Sequence, residues 1–348
     1  MSDSHARVLS ARLSRRSLVS SVALGGLAGS GGLMSIAASA AGKTKLNMQL
    51  GWLASGNQLG EVAAKRMGYF EAEGIELDIQ PGGPSIDGVA VVASGRFELG
   101  QVSSSPSLML AVSQGLPIKC FAAGIQKHPY CFFSLKKKPI RTAQDMVGKK
   151  IGIQSTGIIL LKALLAKNKI DEKAVTIVPI GADMAPLLTG QVDAVTGWLT
   201  NTSALKVLGP ERVDMALWDT GVKLYALPYY ATTTTLQTKG DALAGFLRAT
   251  AKGWQWADKN RDAAVDLLVK GYPNLDRADE RVAADVMLSY SFGDTARAQG
   301  WGTMDPAVWA EQIALYSELG QFTAKTPKVD EVITMDLLKA TQAARVKG

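Results

Sequence analysis

Apolar residues recur at two different spacings along the first two thirds of the chain, and these spacings predict alternating strands and helices. The short apolar runs KLNMQL (residues 45–50) and IELDIQ (75–80) are typical of buried strands. Between them, QLGEVAAKRMG repeats apolar residues at three and four positions, which predicts a helix ending at Gly68. A further strand is expected at residues 97–103, and the serine-proline pair at Ser105 predicts the start of another helix. Strands that alternate with helices of about ten residues predict βαβ units and a mainly parallel sheet.

The same alternation occurs a second time downstream. KKIGIQ (149–154) predicts a strand, a helix is expected to open at Ser155 or Thr156, and VTIVPI and VDAVTGW predict two further strands. The helix-to-strand junctions also match, with ASGRFE at 93–98 corresponding to LTGQVD at 188–193. We therefore expect two similar α/β lobes on one chain.

From about Asp241 onward the pattern predicts helices. One helix is expected to continue to Gly271, before a proline, because apolar residues recur at helical spacing up to that point. The β-branched run ATTTTLQT (231–238) precedes it and is expected to cross back to the first lobe. Further helices are expected at residues 280–290, 306–319 and 329–345. The predicted boundaries are residues 44–130 plus 228–348 for lobe 1, with the helical C-terminal segment, and residues 131–227 for lobe 2.

The N-terminal segment has the three parts of an export signal. Arg15 and Arg16 precede a stretch without charged side chains, which closes on small residues at 38–40. The surrounding SRRSL resembles the twin-arginine variant of such signals. An uncleaved membrane anchor is the alternative, but many glycines and serines dilute its hydrophobicity. We expect residues 1–40 to be removed and the protein to be periplasmic, without a membrane-embedded part.

The composition is that of a protein with a full hydrophobic core and little excess charge. The 348 residues are 47% hydrophobic and 20% charged, with a formal net charge of +7. Without residues 1–40 the chain keeps 34 basic and 30 acidic residues, a net charge of +4 that predicts no nucleic-acid partner. The remaining length of about 308 residues exceeds the size at which single cores stop growing, which again favours two lobes.

Histidine and cysteine are scarce beyond the N-terminal segment. His128, Cys120 and Cys131 remain, whereas metal sites use clustered His and Cys ligands and acid–base catalysis most often uses His. We therefore expect no metal, no cofactor and no enzymatic activity. The cysteines flank a short apolar segment, and the sequence leaves open whether they form a disulfide or two buried thiols.

Several segments resemble a known family. They are GW (51–52), KRMGYFEAEGIELDIQPGGPS (65–85), VASGRFELGQVSSSPSLMLAVSQGLPIK (92–119) and QDMVGKKIGIQSTG (144–157). In order over residues 46–199, they resemble the periplasmic solute-binding proteins for nitrate, sulfonates, taurine and thiamine precursors. The resemblance implies a two-lobed clamshell of the type II periplasmic binding protein fold. It also implies a monomer that captures a small solute between the lobes and delivers it to an ABC permease and its ATPase.

Ligands of open α/β sheets bind beyond the carboxyl ends of the strands, and this rule selects the candidate ligand-binding residues. In the first lobe they are Trp52, Ser55, Asn57, Gly82, Gly83, Ser85, Ser103, Ser104 and Ser105. In the second lobe they are Gln154, Ser155, Thr156, Gly197, Trp198 and Asn201. Tyr225, Tyr229 and Tyr230 near the return crossover are further candidates.

Two ligand classes remain open. Helices that open after strands, at Ser105 and Ser155, direct unpaired N–H groups into the crevice, which suits a carboxylate, sulfonate or nitrate. Capping of its own helix is the alternative role for each serine. Trp52 and Trp198 would instead stack on a planar heterocycle, and Trp52 occupies the place where thiamine-precursor binders carry an aromatic residue. No acidic residue accompanies Trp52, unlike the DW pair of several pyrimidine binders.

Two other functions are compatible with the same fold. Fungal pyrimidine-precursor synthases also resemble these binders, but they have a cysteine-rich motif and an active-site histidine. Here the cysteines stand alone, and His128 precedes Pro129 in a predicted hinge loop. No pattern in the sequence places a serine or cysteine within reach of a histidine, which disfavours an exported enzyme. A ligand-sensing protein that reports to a membrane receptor is the second alternative.

Overall fold

The computed structural model describes residues 42–83, 86–181 and 183–346. The predicted export signal and the candidate Ser85 lie outside these ranges. The described residues contain ten strands. In chain order they are β1 (Thr44–Leu50), β2 (Ile75–Gln80), β3 (Leu99–Gln101), β4 (Ile118–Ile125), β5 (Tyr130–Leu135), β6 (Lys150–Ile153), β7 (Thr176–Pro179), β8 (Ala194–Trp198), β9 (Arg212–Ala216) and β10 (Ala226–Thr232).

Helices flank the strands and make up most of the chain after β10. Those before β10 are α1 (Leu59–Arg66), α2 (Tyr69–Ala72), α3 (Gly88–Ala93), α4 (Ser105–Ser113), α5 (Ile158–Lys167), α6 (Ala185–Leu188) and α7 (Thr202–Leu205). Those after it are α8 (Thr233–Thr238), α9 (Gly240–Lys259), α10 (Arg261–Gly271), α11 (Arg277–Ser291), α12 (Asp294–Gln299), α13 (Pro306–Glu318), α14 (Val329–Val332) and α15 (Asp336–Val346). Short 3₁₀ turns occupy Gly56–Gln58, Ala143–Met146, Ser155–Gly157, Glu172–Ala174, Lys206–Glu211 and Leu217–Thr220.

The strands form two sheets of equivalent topology. The first sheet has the order β2-β1-β3-β10-β4 and the second has the order β7-β6-β8-β5-β9. In the first sheet β10 is antiparallel to both of its neighbours, and in the second sheet β5 is. The other contacts, β1 with β2 and β3 and β6 with β7 and β8, are parallel. The predicted pair of mainly parallel sheets is therefore present, each with one strand running in the opposite direction.

The two antiparallel strands, β5 and β10, are the first strands that the chain forms after it crosses from one sheet to the other. β4 ends the first run in the first sheet, and β5 begins the second sheet after residues 126–129. β10 returns to the first sheet after β9. The run ATTTTLQT was predicted to make this crossing, and that prediction is wrong for most of its length. The crossing strand is β10, and Thr233–Thr238 form α8, in which the Thr232 side chain accepts the Thr235 N–H and so caps the helix.

Two long helical predictions also need correction. The stretch predicted to run to Gly271 is interrupted at Asn260, whose non-helical backbone separates α9 from α10. The Asn260 side chain donates to the Trp256 carbonyl at 2.9 Å and so satisfies the end of α9. The predicted helix at 329–345 is split into α14 and α15, because Ile333 is extended and pairs with Cys120 of β4.

The cysteines are both free thiols in the interior. Cys120 lies on β4 of the first sheet and Cys131 on β5 of the second, so they are not on neighbouring strands of one sheet. Burial raises the pKa of each thiol well above its ordinary value, which keeps both protonated. Within the described ranges, no helix combines the length and the apolar character needed to span a membrane.

Candidate functional site

A cavity of about 310 Å³ lies where loops of both sheets meet helix α11. Its wall is formed by the loop after β1, by the segment that follows β8, and by helix α11. The lining residues are Ser55, Gly56, Asn57, Thr200, Asn201, Thr202, Ser203, Ala204, Asp279, Glu280, Ala283 and Met287. The structure therefore brings together three of the predicted candidates, Ser55, Asn57 and Asn201.

The loop after β1 is held in shape by a reciprocal cap. The Ser55 hydroxyl accepts the Asn57 N–H at 3.3 Å, and the Gln58 side-chain oxygen accepts the Ser55 N–H at 3.0 Å. Gln58 is buried and also donates to the Gln101 side chain at 2.9 Å. The polar wall at this end of β1 is thus fixed by side chains that reach into the interior.

Helix α11 provides the charged part of the wall. Asp276 caps its first turn by accepting the Asp279 N–H at 2.9 Å. Asp279 contacts the second sheet's side of the cavity through an ion pair with Lys206, and its carbonyl accepts the Thr202 hydroxyl at 2.8 Å. The Glu280 carboxyl lies against Gly56, and burial raises its pKa above the ordinary value. One helix therefore contacts both sides of the cavity.

Sequence reasoning missed the contribution of α11. A helix was expected at residues 280–290, but Asp279, Glu280, Ala283 and Met287 were not among the candidates. They lie more than 200 residues beyond Ser55, and no motif links the two segments. Only the return of the chain to the first sheet brings α11 to the cavity.

A second group of candidates meets at the crossing between the sheets. The Ser104 hydroxyl is hydrogen-bonded to Nε2 of His128, which is fully buried. The His128 ring also packs edge-on against Trp198, with 5.3 Å between ring centroids. His128 thus joins the end of β3 in the first sheet to the end of β8 in the second. The expectation that no serine lies within reach of a histidine is wrong, because the contact forms between segments distant in sequence.

The His128 contact is nevertheless unsuited to activating a serine. Nδ1 of His128 accepts the Tyr130 N–H at 3.2 Å, so in the neutral ring the proton resides on Nε2. Nε2 then donates to Ser104 and has no lone pair with which to take the hydroxyl proton. Burial lowers the pKa of His128 to about 3, which keeps the ring neutral.

Trp52 lies in the loop after β1 and is 48% exposed. Its carbonyl accepts the Gly82 N–H at 2.9 Å. Gly82 permits this approach because a Cβ there would overlap the Leu50 carbonyl and lie 2.6 Å from the Trp52 nitrogen. Gly83 is less crowded, with Leu53 as the nearest neighbour at 4.0 Å.

Ser105, Tyr225 and Tyr229 are buried and have internal partners. The Ser105 hydroxyl donates to Gln312 at 2.6 Å, and the Tyr225 hydroxyl accepts the Asp305 N–H at 2.9 Å. The Tyr229 hydroxyl donates to the buried Glu61. Tyr230 is similar, because its hydroxyl donates to the Gly88 carbonyl. These interactions differ from the predicted ligand contacts, and the four residues are not included in the site proposed below.

The remaining candidates lie at strand ends and are not among the residues that line the cavity. The Ser103 carbonyl accepts the Leu227 N–H at 3.2 Å, as part of the β3–β10 contact region. Ser155 and Thr156 are exposed in a 3₁₀ turn that precedes α5, which begins at Ile158 and not at the predicted serine or threonine. Gln154 is half-buried at the start of that turn, and Gly197 is buried opposite Cys131.

Comparison with known proteins identifies the fold. The aliphatic sulphonate-binding protein SsuA of Escherichia coli, a periplasmic protein, superimposes with a TM-score of 0.66 at 18% identity, over 85% of this chain and 99% of that one. The chain therefore has the two-lobed type II periplasmic binding protein fold, with a largely helical C-terminal segment. This confirms the fold implied by the sequence resemblance.

The relatives of this chain include proteins named as binding proteins and proteins named as synthases. The formylaminopyrimidine-binding protein of Halalkalibacterium halodurans is 28% identical over 71% of this chain and 77% of that protein. The 4-amino-5-hydroxymethyl-2-methylpyrimidine phosphate synthase of Legionella pneumophila is 25% identical over 67% of this chain and 75% of that protein. The family model described as NMT1/THI5 like matches residues 55–264, more than half of the sequence. The chain belongs to the NMT1/THI5-like family.

Proposed function

We propose that this protein is the extracytoplasmic solute-binding component of an ABC-type importer and holds its solute at the cavity described above. The observation that carries the proposal is that strand-end segments of both sheets line one cavity, with Ser55 and Asn57 on one side and Asn201 on the other. A site shared by two lobes allows closure to report that a ligand is bound. The volume lies at the lower end of the range of small-molecule sites, about 300 to 1,000 Å³.

The export and lobe predictions belong to the same proposal. We propose that residues 1–40 direct export and are removed, which gives a periplasmic monomer. Residues 44–130 plus 228–348 would form one lobe and residues 131–227 the other, a division supported by the two separate sheets. The partners would be a small solute, a permease and its ATPase.

Of the two ligand classes, the planar heterocycle is favoured over the organic anion. Among the described lining residues the ionisable side chains are Asp279, which is paired with Lys206, and Glu280, and no basic side chain is present to bind a sulfonate or nitrate. Hydroxyl and amide groups on the rest of the wall suit the ring nitrogens and amino groups of a heterocycle. The relative named as a formylaminopyrimidine-binding protein supports the same choice.

An enzymatic function is the less favoured alternative, although relatives include proteins named as synthases. The arrangement of Ser104 and His128 does not supply a base, for the reason given above. A serine-directed fluorophosphonate should therefore leave Ser104 unlabelled. Stoichiometric labelling at Ser104 would reopen the enzyme alternative. A ligand-sensing protein for a membrane receptor would use the same site, and pull-down with the permease separates the two roles.

The first experiment is a ligand screen on the processed, exported protein. Native mass spectrometry identifies any retained compound, and a thermal-shift screen then tests pyrimidines, flavins, sulfonates, nitrate and small carboxylates. A ligand of the folded state raises its stability. We therefore expect a compound with a pyrimidine-like ring to raise the melting temperature. Stabilisation by an anion alone would reject the heterocycle, and turnover of any compound would reject the transport role.

Variants of the wall then locate the bound compound. Asn201→Ala should weaken binding about fivefold to tenfold, the effect of one lost hydrogen bond. Trp52 does not line the cavity, but it lies in the same loop as Ser55 and is half exposed. Trp52→Ala should therefore weaken binding of a ring that extends from the cavity to this loop, without unfolding the protein. Asn274→Ala is the matched control, since Asn274 is exposed and does not line the cavity. Equal affinities for all three variants and the wild type would place the ligand elsewhere.

A further inference from the structure

A buried carboxyl group lies behind the cavity loop and has no part in the site described above. Glu61 on α1 is 0% exposed. Its Oε1 atom accepts hydrogen bonds from the Tyr229 hydroxyl and, at 3.1 Å, from the Gln101 side chain. Among the described residues, no atom meets the hydrogen-bond geometry for Oε2. A buried, incompletely bonded carboxyl is costly, so its presence calls for a physical explanation.

Glu61 is connected to the cavity loop by two buried glutamines. Gln101 donates to Glu61, and its oxygen accepts the Gln58 side-chain N–H at 2.9 Å. The Gln58 oxygen in turn accepts the Ser55 N–H at 3.0 Å, which is half of the cap that shapes the loop. A continuous chain of hydrogen bonds therefore runs from the carboxyl to a residue of the cavity wall.

Glu61 sets the donor-to-acceptor direction of these hydrogen bonds. A side-chain amide presents a donor at one end and an acceptor at the other, so fixing one end fixes the other. Because Glu61 offers Gln101 an acceptor, Gln101 must turn its oxygen towards Gln58, and Gln58 must turn its oxygen towards the Ser55 N–H. A glutamine at position 61 can present its NH₂ group to Gln101, which would invert both amides and direct an NH₂ group at the Ser55 N–H.

The protonation state of Glu61 is sensitive to its surroundings. Burial raises the pKa of Glu61 to about 7, while the hydrogen bonds from Tyr229 and Gln101 act in the opposite direction. The titratable groups that interact electrostatically with Glu61 are two phenols, Tyr229 on β10 and Tyr272 after α10. Gln101 on β3 contributes a neutral donor, and the indole of Trp254 on α9 also lowers the pKa of Glu61, although its N–H does not meet hydrogen-bond geometry.

We propose that Glu61 is a positioning residue of the binding site, and that its carboxyl orders the Ser55–Gln58 turn through Gln101 and Gln58 in a manner that depends on its protonation state. The term binding site here rests on the function proposed above. When Glu61 is ionised it is a stronger acceptor, and polarisation along the chain strengthens the bond to the Ser55 N–H. The cavity wall is then better ordered at pH values above the pKa of Glu61 than at pH values below it.

The test is amide hydrogen exchange of the turn in the full-length protein, without any ligand. A peptide containing Ser55 is followed by mass spectrometry from pH 5.5 to 8.5, with rates corrected for intrinsic exchange. Wild type should show an increase in protection of about fivefold through a step near the pKa of Glu61. Glu61→Gln should abolish the step and exchange faster at high pH. The hydrogen bond from Tyr229 lowers the pKa of Glu61, so its removal in Tyr229→Phe should raise that pKa and move the step to higher pH.

Glu98→Gln is the matched control. Glu98 accepts the Asn47 N–H at 2.8 Å near the start of β3, outside the chain of hydrogen bonds to Ser55, and its substitution should leave the step in place. A wild-type profile without a step, or a step that persists in folded Glu61→Gln, would overturn the proposal. If Glu61→Gln does not fold, an unmoved midpoint in Tyr229→Phe overturns it instead. Since no ligand is present, failure of the solute-binding proposal would leave this result unaffected.

Discussion

The contact between α1 and α9 offers a sharp test of how closely this fold is packed. Gly253 lies inside α9, and a Cβ added there would overlap the Gly60 carbonyl oxygen on α1. The same Cβ would lie 2.7 Å from the Ala64 side chain and 2.8 Å from its backbone nitrogen. The neighbours are mostly backbone atoms, which no rotamer change can move. Gly253→Ala must therefore push the two helices apart.

The size of the effect follows from two opposing terms. At an open helical position, Gly→Ala stabilises a helix by about 1 kcal/mol. Insertion of a methyl group into a well-packed interface costs about 1 to 3 kcal/mol, and the upper end applies because carbon contacts prefer a separation of about 3.5 to 4.0 Å. We expect Gly253→Ala to lower the free energy of unfolding by about 2 kcal/mol, which corresponds to a decrease in Tm of about 5 °C.

Gly240→Ala on the same helix is the control. Gly240 begins α9, and a Cβ there would meet no atom within 4 Å. Urea unfolding followed by tryptophan fluorescence should show the Gly253→Ala midpoint below the wild type and the Gly240→Ala midpoint at or slightly above it. Equal midpoints for the two variants would refute the packing argument and show that the helices accommodate a methyl group without cost.

Three further predictions concern the interior and the cavity loop. Burial raises the pKa of Glu61 from 4.5 to about 7, so the folded protein keeps a proton that the unfolded chain releases; the free energy of unfolding should therefore fall by about 3 kcal/mol as the pH rises through this interval. Urea titrations at each pH should show this loss in the wild type and not in Glu61→Gln. Gly82→Ala should lower the thermal stability and displace the Trp52 loop because its Cβ would meet backbone, whereas Gly83→Ala should match the wild type, and differential scanning calorimetry compares the two. Arg345→Met should cost about 3 kcal/mol in urea unfolding, because Arg345 is buried and donates to three backbone carbonyls that would lose their partner; an unchanged midpoint would show that water replaces it.

The sequence predicted the alternating halves of this fold for a local reason. Strand and helix periods are set by neighbouring residues, so β1 and the helix that follows it could be recognised from a few side chains. The Ser105-Pro106 start of α4 was predicted in the same way and is confirmed. The break at Asn260 and the helix at Thr233–Thr238 were missed because β-branched and apolar patterns do not by themselves distinguish a helix from a strand or one helix from two.

The candidate site was only partly predictable. The strand-end rule selected Ser55, Asn57 and Asn201, which the structure brings to one cavity. The same rule selected Ser105, and proximity to the return crossover selected Tyr229, but both hydroxyls point into the interior. Position along the chain does not determine which way a side chain turns.

The sequence by itself determined the order of strands and helices, the duplication of the α/β pattern and the family, since all of these are properties of short segments read in order. Tertiary structure alone decided which distant groups meet. Ser104 meets His128 at the crossing between the sheets, and Thr202 meets Asp279 on a helix 77 residues away. Glu61 is linked to the cavity through Gln101, 40 residues along the chain. These contacts depend on how the chain crosses from one sheet to the other and back. Packing and burial across that crossing set the protonation states and hydrogen-bond directions of the site, and local sequence patterns contain no record of them.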